Sequence, residues 1–377
     1  MNNQLDIRPI QTKKEIRDFA HFGNHLYKDN TCWVPDIEGD LQALFKPKAA
    51  DGDEAVVIQG FGAYRGNEMV GRILGIVNHR ANKKWKTHTV RFGIFDFIDD
   101  LEVSKALLNA VSEWGREQGL DNIQGPLGAT DFDKEGMLVE NFDMLGSMSM
   151  YYNADYYPRH MEQLGYEKAV DWLSIHLNIP KELPPRYIKT AGIVKKMLKV
   201  HVRYLTAAEV NDGWGKKVFD LLNEAYAPLY GFSAFTREQA QHFISAYLPL
   251  LDMRMMPVVV DENDNIVCLA ITMGSLSHAL RKAKGRVWPF GWFHLLKALK
   301  WKHEDTVEML LIGVKPELQG IGLTSLVFLE LIKTYNALGY KYAITGPQLE
   351  TNVKELSQWK YLNPELVMRR RCWKKVL

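Results

Sequence analysis

The sequence lacks what would tie it to an oxidising compartment or a metal. Its three cysteines, Cys32, Cys268 and Cys372, lie far apart with no CxxC pair, which argues against a disulfide framework and reads as a reduced, cytoplasmic protein. No apolar run approaches the ~18 residues of a membrane helix. The first residues, Met1 to Arg8, lack the basic-then-apolar order of a secretion signal. An excess of one charge is missing too: 47 bases against 45 acids leave +2, so overall charge gives no reason to expect a nucleic-acid partner. There is no GxSxG or Cys/His arrangement for a covalent hydrolase, and no Walker loop or GxGxxG fingerprint. His21 and His25 sit one helical turn apart without a third ligand, so no metal site is expected.

What is present repeats. At 377 residues with 46% hydrophobic content, the chain has the length and apolar content for two cores. Leu5-Asp6-Ile7-Arg8 alternates like a strand and is followed by Thr12 and Glu15, a capping box. The same order returns at Val200-His201-Val202-Arg203 with Thr206 and Glu209. A strand–turn–strand follows in each half: 62–65 with 69–77 around Gly66-Asn67, then 257–260 with 266–272 around Asp261 to Asn265. Next come a strand, an amphipathic helix and a strand ending in Gly-Pro. In the first half these are 92–97, 103–118 and 122–126; in the second, 307–314, 323–338 and 342–347. Leu323, Val327, Leu331 and Tyr335 form a helical stripe with Phe328 and Ile332 beside them.

These patterns predict an α/β chain with a mixed sheet in each of two tandem copies, at 1–178 and 198–377. A proline-marked linker over 179–197, opened by Pro180, Pro184 and Pro185, joins them. The crossover helix in each half makes part of each sheet parallel.

The sharpest motif runs Val314-Lys315-Pro316-Glu317-Leu318-Gln319-Gly320-Ile321-Gly322-Leu323-Thr324, between a strand and a helix. Its glycines let backbone amides converge, and the helix start adds positive potential, which suits a pyrophosphate. Here the sequence resembles the GNAT superfamily of acyl-CoA N-acyltransferases, whose fourth strand runs through a Val-x-Pro-Glu lead-in to a (Gln/Arg)-x-x-Gly-x-(Gly/Ala) loop. Thr324 departs from that form. The resemblance implies acyl-CoA as cofactor, acetyl-CoA or another, with the pyrophosphate on the amides of Gln319, Gly320, Ile321, Gly322, Leu323 and Thr324. It places the thioester along Ile312, Gly313 and Val314 and makes Asn352 a cofactor contact. It also implies a base on the fourth or fifth strand, for which Glu308 is the candidate, and an acid, for which Tyr361 lies in the matching stretch.

The first half has Asp99-Asp100-Leu101-Glu102 where the loop should be, acids that repel a pyrophosphate and suit a helix cap. It is therefore a degenerate copy, as happens in tandem members such as mycothiol synthases, N-myristoyltransferases and Fem peptidyltransferases. Met161 stands where the acid tyrosine would fall. An insertion after Pro126 carries acids, among them Asp131, Asp133 and Glu135. Another, over 278–303, is basic (Arg281, Lys282, Lys284, Arg286, Lys297, Lys300, Lys302) with Trp288, Phe290, Trp292 and Phe293 at its centre. It reads either as helices around a buried turn or as a surface for an anionic substrate, a membrane or nucleic acid.

The expectation is an acyl-CoA-dependent N-acyltransferase, acting on a small-molecule or peptide amine held between the two copies. The alternatives are a non-catalytic acyl-CoA-binding scaffold, or a Fem-like or N-acyl amino acid-forming transferase with a larger donor. Oligomeric state stays open.

Overall fold

Two reciprocal capping boxes start the two halves. Glu15 donates its amide to Thr12 Oγ1 at 3.2 Å while the Thr12 amide donates to Glu15 Oε2 at 2.8 Å. Glu209 and Thr206 do the same at 3.2 and 2.8 Å. Each box satisfies helix-start amides that would otherwise lack a partner. The computed structural model describes residues 4–45, 56–130 and 132–377, so Asp131 lies outside the described residues.

In chain order the first elements are β1 (Leu5–Pro9), α1 (Lys13–Leu26), α2 (Glu38–Ala43), β2 (Val56–Arg65), β3 (Glu68–Asn78) and α3 (His79–Trp85). They continue with β4 (Thr89–Phe97), α4 (Leu101–Glu117), β5 (Asn122–Gly125), β6 (Met137–Glu140), α5 (Tyr156–Gln163) and β7 (Glu167–Asn178). Then come α6 (Pro185–Leu198), β8 (His201–Tyr204), α7 (Ala207–Glu209), α8 (Gly215–Tyr226), α9 (Arg237–Tyr247), β9 (Pro257–Val260) and β10 (Ile266–Gly274). After α10 (Ser277–Ala283) and α11 (Gly291–Lys300) follow β11 (Thr306–Val314), α12 (Thr324–Leu338), β12 (Tyr342–Thr345), β13 (Gln348–Leu349), α13 (Val353–Ser357) and β14 (Glu365–Val376).

The chain folds as two units: Met1–Leu173 with Leu276–Lys297 and Met368–Leu377, and Ser174–Ser275 with Ala298–Val367. This division differs from the sequence expectation of 1–178, 179–197 and 198–377 in three places. The expected linker is helix α6, whose Tyr187, Ala191 and Val194 are buried in the core of the second unit. Pro184 and Pro185 start that helix rather than break the chain, because proline at a helix start forfeits no hydrogen bond. The basic insertion, over Leu276–Lys297, belongs to the first unit, as does the end of the chain.

In the first unit the strand order is β1-β2-β3-β4-β5-β14-β7. β4 and β5 pair in parallel, and β14 pairs antiparallel to β5 with Trp373 opposite Gly125. The stripe Val103, Leu107, Leu108 and Val111 of α4 is buried against this sheet. Gly71 on β3 permits the close approach, since a Cβ there would lie 2.8 Å from Leu107 Cδ1. In the second unit the order is β7-β12-β11-β10-β9-β8, with β11 and β12 parallel. The stripe of α12 is inside, with Leu323, Val327, Phe328, Leu331 and Tyr335 all buried. Each such side chain contributes roughly 1.5–3 kcal/mol of transfer free energy.

Candidate functional site

Glu308 lies on β11, opposite Met273 of β10 and Ile344 of β12. A strand carboxylate at this position has two possible environments, solvent or core. It is only 2% exposed and accepts a hydrogen bond from Ser275 Oγ at 3.0 Å. Ser275, at the end of β10, is itself fixed by its amide donating to the Thr306 carbonyl at 2.9 Å.

Two irregularities open β11 just beyond this carboxylate. First, the register against β10 jumps from Met309 to Leu311, so Leu310 is an extra residue, a β-bulge. Second, β12 pairs with β11 only from Thr306 to Met309, and the Gly346 amide closes the pairing on the Met309 carbonyl at 2.8 Å. β11 runs on through Val314 while the partner strand has ended, so Leu310, Leu311, Ile312 and Val314 stay partly exposed. On the bulged segment the Ile312 carbonyl accepts from Tyr226 Oη at 3.1 Å.

The glycine loop follows. Gln319 uses its amide on the Pro316 carbonyl at 3.3 Å and its side-chain Nε2 on the Val314 carbonyl at 3.3 Å. Its own amide is therefore engaged, and the amides free to converge begin at Gly320 rather than at Gln319. Gly320 and Gly322 have φ of 84° and 88°, the left-handed region that only glycine enters without strain. A Cβ on Gly322 would lie 2.4 Å from Thr190 Cγ2, while one on Gly320 would meet nothing within 4 Å. Ile321 is exposed and Leu323 is buried. α12 begins at Thr324 without a side-chain cap, so its first amides keep the potential that attracts an anion.

Helix α6 joins two of the expected residues. Thr190 approaches Gly322, and Arg186, one turn earlier, donates to Tyr361 Oη at 2.7 Å and stacks 4.6 Å from its ring centre. Tyr361 is 42% exposed. Asn352 caps α13: its Oδ1 accepts the Glu355 amide at 3.4 Å and its Nδ2 donates to Glu355 Oε2 at 2.7 Å. Burial raises the Glu355 carboxyl to about 7, against the opposing pull of the Asn352 bond. Glu355 was missed in the sequence, although Asn352 followed three residues later by an acid is a helix-start pattern that marks it. Thr190 and Arg186 were missed because the prolines before them read as a linker.

The equivalent positions of the first unit are occupied differently. Asp100 caps α4 by accepting the Glu102 amide at 2.9 Å, and its other oxygen takes Arg65 Nη2 at 2.6 Å. Asp99 pairs with His160 Nε2 at 3.0 Å. β4 runs beyond β5, as β11 does beyond β12, but backbone and side chains of the unit itself fill the gap. The Leu127 amide donates to the Phe92 carbonyl at 2.8 Å, the Ile94 amide to Tyr151 Oη at 2.9 Å and the Phe97 amide to Tyr157 Oη at 3.1 Å. Met161 is buried in the same core.

A mixed sheet whose central parallel strands separate ahead of a helix, occurring twice and carrying a glycine loop in the second copy, is the tandem GNAT fold. Solved structures with this fold match the chain nearly end to end. A tandem GNAT protein from the clavulanic acid biosynthesis pathway aligns with a TM-score of 0.56 at 12% identity, over 99% of this chain and 98% of that one. A GCN5-related N-acetyltransferase from Sphaerobacter thermophilus gives 0.54 at 11%, over 99% and 95%. Among curated proteins the chain is similar to Protein YghO of Escherichia coli (strain K12), 26% identical over 329 residues, 87% of this chain and 83% of that protein. It is also similar to a bacterial ceramide synthase of Caulobacter vibrioides (strain NA1000 / CB15N), 25% identical over 326 residues, 84% and 82%. No family model matches the sequence.

Proposed function

We propose that the chain is an acyl-CoA-dependent N-acyltransferase whose donor site is in the second unit. The observation that carries this is the pairing of a β11 that outruns its parallel partner with a loop of two left-handed glycines at an uncapped helix start. A pyrophosphate fits there, since Gly320 has open space around its Cα and Gly322 has backbone where a Cβ would not fit. The anion-facing amides are those from Gly320 to Thr324, and Gln319 braces the loop. Asn352, which the resemblance makes a cofactor contact, is better explained as the residue that caps α13 and holds Glu355.

A bound acyl-CoA supplies a thioester carbonyl that an unprotonated amine attacks, forming an amide and releasing CoA as its thiol. Glu308 takes the proton that the ammonium must lose, with Ser275 fixing the carboxylate. An amide among Ile312, Gly313 and Val314 donates to the carbonyl oxygen as its charge develops. Tyr361 returns a proton to the departing sulfur.

Acetyl-CoA is the donor expected from the family pattern. One specific observation favours a longer acyl group as a second reading. A relative matching 84% of this chain is called a ceramide synthase, and a ceramide is an amine N-acylated by a long chain. Calorimetric titration with CoA, acetyl-CoA and palmitoyl-CoA tests both readings, repeated on Gly322→Glu. Saturable binding, weakened on the order of 100-fold in the variant by steric clash and charge, supports the donor site. Absence of binding by folded wild type removes it. Preference for one thioester selects the donor.

A further inference from the structure

The segment Leu276–Lys297 departs from the two-copy pattern, and its exposed side chains point to a binding surface. Trp288 is 78% exposed and Phe290 77%, with Trp292 at 42% and Phe293 at 45% beside them. Large aromatics clustered in contact with water are costly on a surface that meets nothing else. Their support is firm. The Trp292 amide donates to the Val287 carbonyl at 2.7 Å, the Phe293 amide to the Phe290 carbonyl at 3.2 Å, and Trp292 Nε1 to the Pro289 carbonyl at 3.0 Å. At the base of the turn the Glu38 amide donates to the Gly285 carbonyl at 2.9 Å, and the Glu38 carboxylate takes Arg286 Nε at 3.2 Å. Gly285 has φ of 68° and lies so close to the Asp36 carbonyl that a Cβ would be 2.1 Å from it. The aromatics are thus held outward on a braced turn.

Charge selects the occupant. Between Ser277 and Lys297 the ionisable residues other than histidine are Arg281, Lys282, Lys284, Arg286 and Lys297, and no acid occurs. Two acids at the base of the turn are engaged, Glu38 by Arg286 and Asp36 by Lys134 at 2.6 Å. Exposed Lys282, Lys284 and Lys297 flank an indole- and phenyl-bearing tip and form no ion pair among the described residues. Indole rings prefer the boundary between hydrocarbon and headgroups, and lysines beside them are drawn to anionic lipid. We propose that this turn docks the protein on an anionic lipid bilayer, with Trp288 and Phe290 inserted at the headgroup level and Lys282, Lys284 and Lys297 on the lipid phosphates. The inference does not depend on the acyltransfer reading, and no CoA enters its test.

The test is co-sedimentation of the full chain with vesicles of phosphatidylcholine alone and with phosphatidylglycerol added. Wild type should partition onto the anionic vesicles, and salt should weaken this. Trp288→Ala/Phe290→Ala should lower the partition coefficient on the order of 100-fold. Lys282→Gln and Lys284→Gln should each lower it about fivefold. Trp85→Ala, which alters an exposed indole elsewhere in the first unit, should leave it unchanged. Because Trp288 and Phe290 are exposed, their loss leaves the core intact. The proposal is overturned if wild type ignores anionic vesicles or if the aromatic double variant binds as well. It is equally overturned if sedimentation velocity shows a dimer that the double variant abolishes, since a second copy would then cover the patch.

Discussion

β4 and β11 occupy the same place in the repeat, and the chain has used them in opposite ways. Both pair in parallel with the following strand over their first residues, with Thr89 and Thr306 each starting the register. Two positions on, the first unit has Arg91 where the second has Glu308. Both are buried, Arg91 donating to the Gly128 carbonyl at 3.1 Å and Glu308 accepting from Ser275. A guanidinium donates hydrogen bonds and accepts none, so Arg91 offers no counterpart to the base proposed at Glu308. Further along, every residue of β4 is buried, whereas β11 stays partly exposed from Met309 to Ile312. Tyr151 and Tyr157 occupy the gap in the first unit and bond the β4 amides. With the donor site proposed in the second unit, the difference teaches how one copy of a duplicated fold can lack such a site and still satisfy its backbone. The backbone groups that a ligand would satisfy must still be satisfied, and tyrosines of the chain itself do so.

Substitutions can sharpen this contrast. The largest effect is expected at Glu308→Gln, which keeps the shape and the Ser275 contact but removes the proton acceptor. Turnover with a competent amine should fall about 100-fold or more while CoA binding, followed by calorimetry, is unchanged. Unchanged turnover would remove Glu308 as the base. In the first unit, Tyr157→Phe removes the acceptor for the Phe97 amide and the bond shared with Tyr27 at 2.8 Å. It should cost roughly 1–3 kcal/mol in denaturant melts and leave CoA affinity as it was. A loss of CoA binding there would break the claim that the first copy is structural.

A smaller effect is expected at Glu355. Its folded pKa of about 7 lies above the ordinary 4.5, so the folded state holds a proton that the unfolded chain has released. Stability should therefore fall as pH rises from 4.5 to 7, by on the order of 1–2 kcal/mol given partial exposure. Glu355→Gln should flatten that slope in melts across the window. Smallest of all, Gly320→Ala meets no neighbour and carries only the left-handed strain of about 1 kcal/mol. CoA affinity should drop no more than about tenfold, far less than for Gly322→Glu.

The repeat was legible because it is local. Capping boxes, the tight turn before Ile266 and the stripes of α4 and α12 follow from spacings within one element. The loop was legible for the same reason, with Val314-Lys315-Pro316 and Gly320-Ile321-Gly322 contiguous. What escaped depends on distant parts of the chain. Nothing within Arg369-Arg370-Arg371 marks the middle residue, yet β14 buries Arg370 completely, where it donates to the Tyr151 carbonyl at 2.8 Å. Arg371 meets Asp171 at 2.8 Å. Ser275 beside Glu308 was invisible because antiparallel register sets that contact. The aromatic turn over 288–293 was legible in composition, and its exposure was not.

The last strand also has a consequence for how the protein is made. Met368–Leu377 complete the sheet of the first unit, seated on β5 from Asn122 to Gly125. A nascent chain emerging from the ribosome has every other strand of that unit long before this one. Until then β5 presents an unpaired edge, the kind of template on which stray strands assemble. The half synthesised first is finished only after the second unit has been made, and the interval is one in which a holdase chaperone has a strand edge to guard.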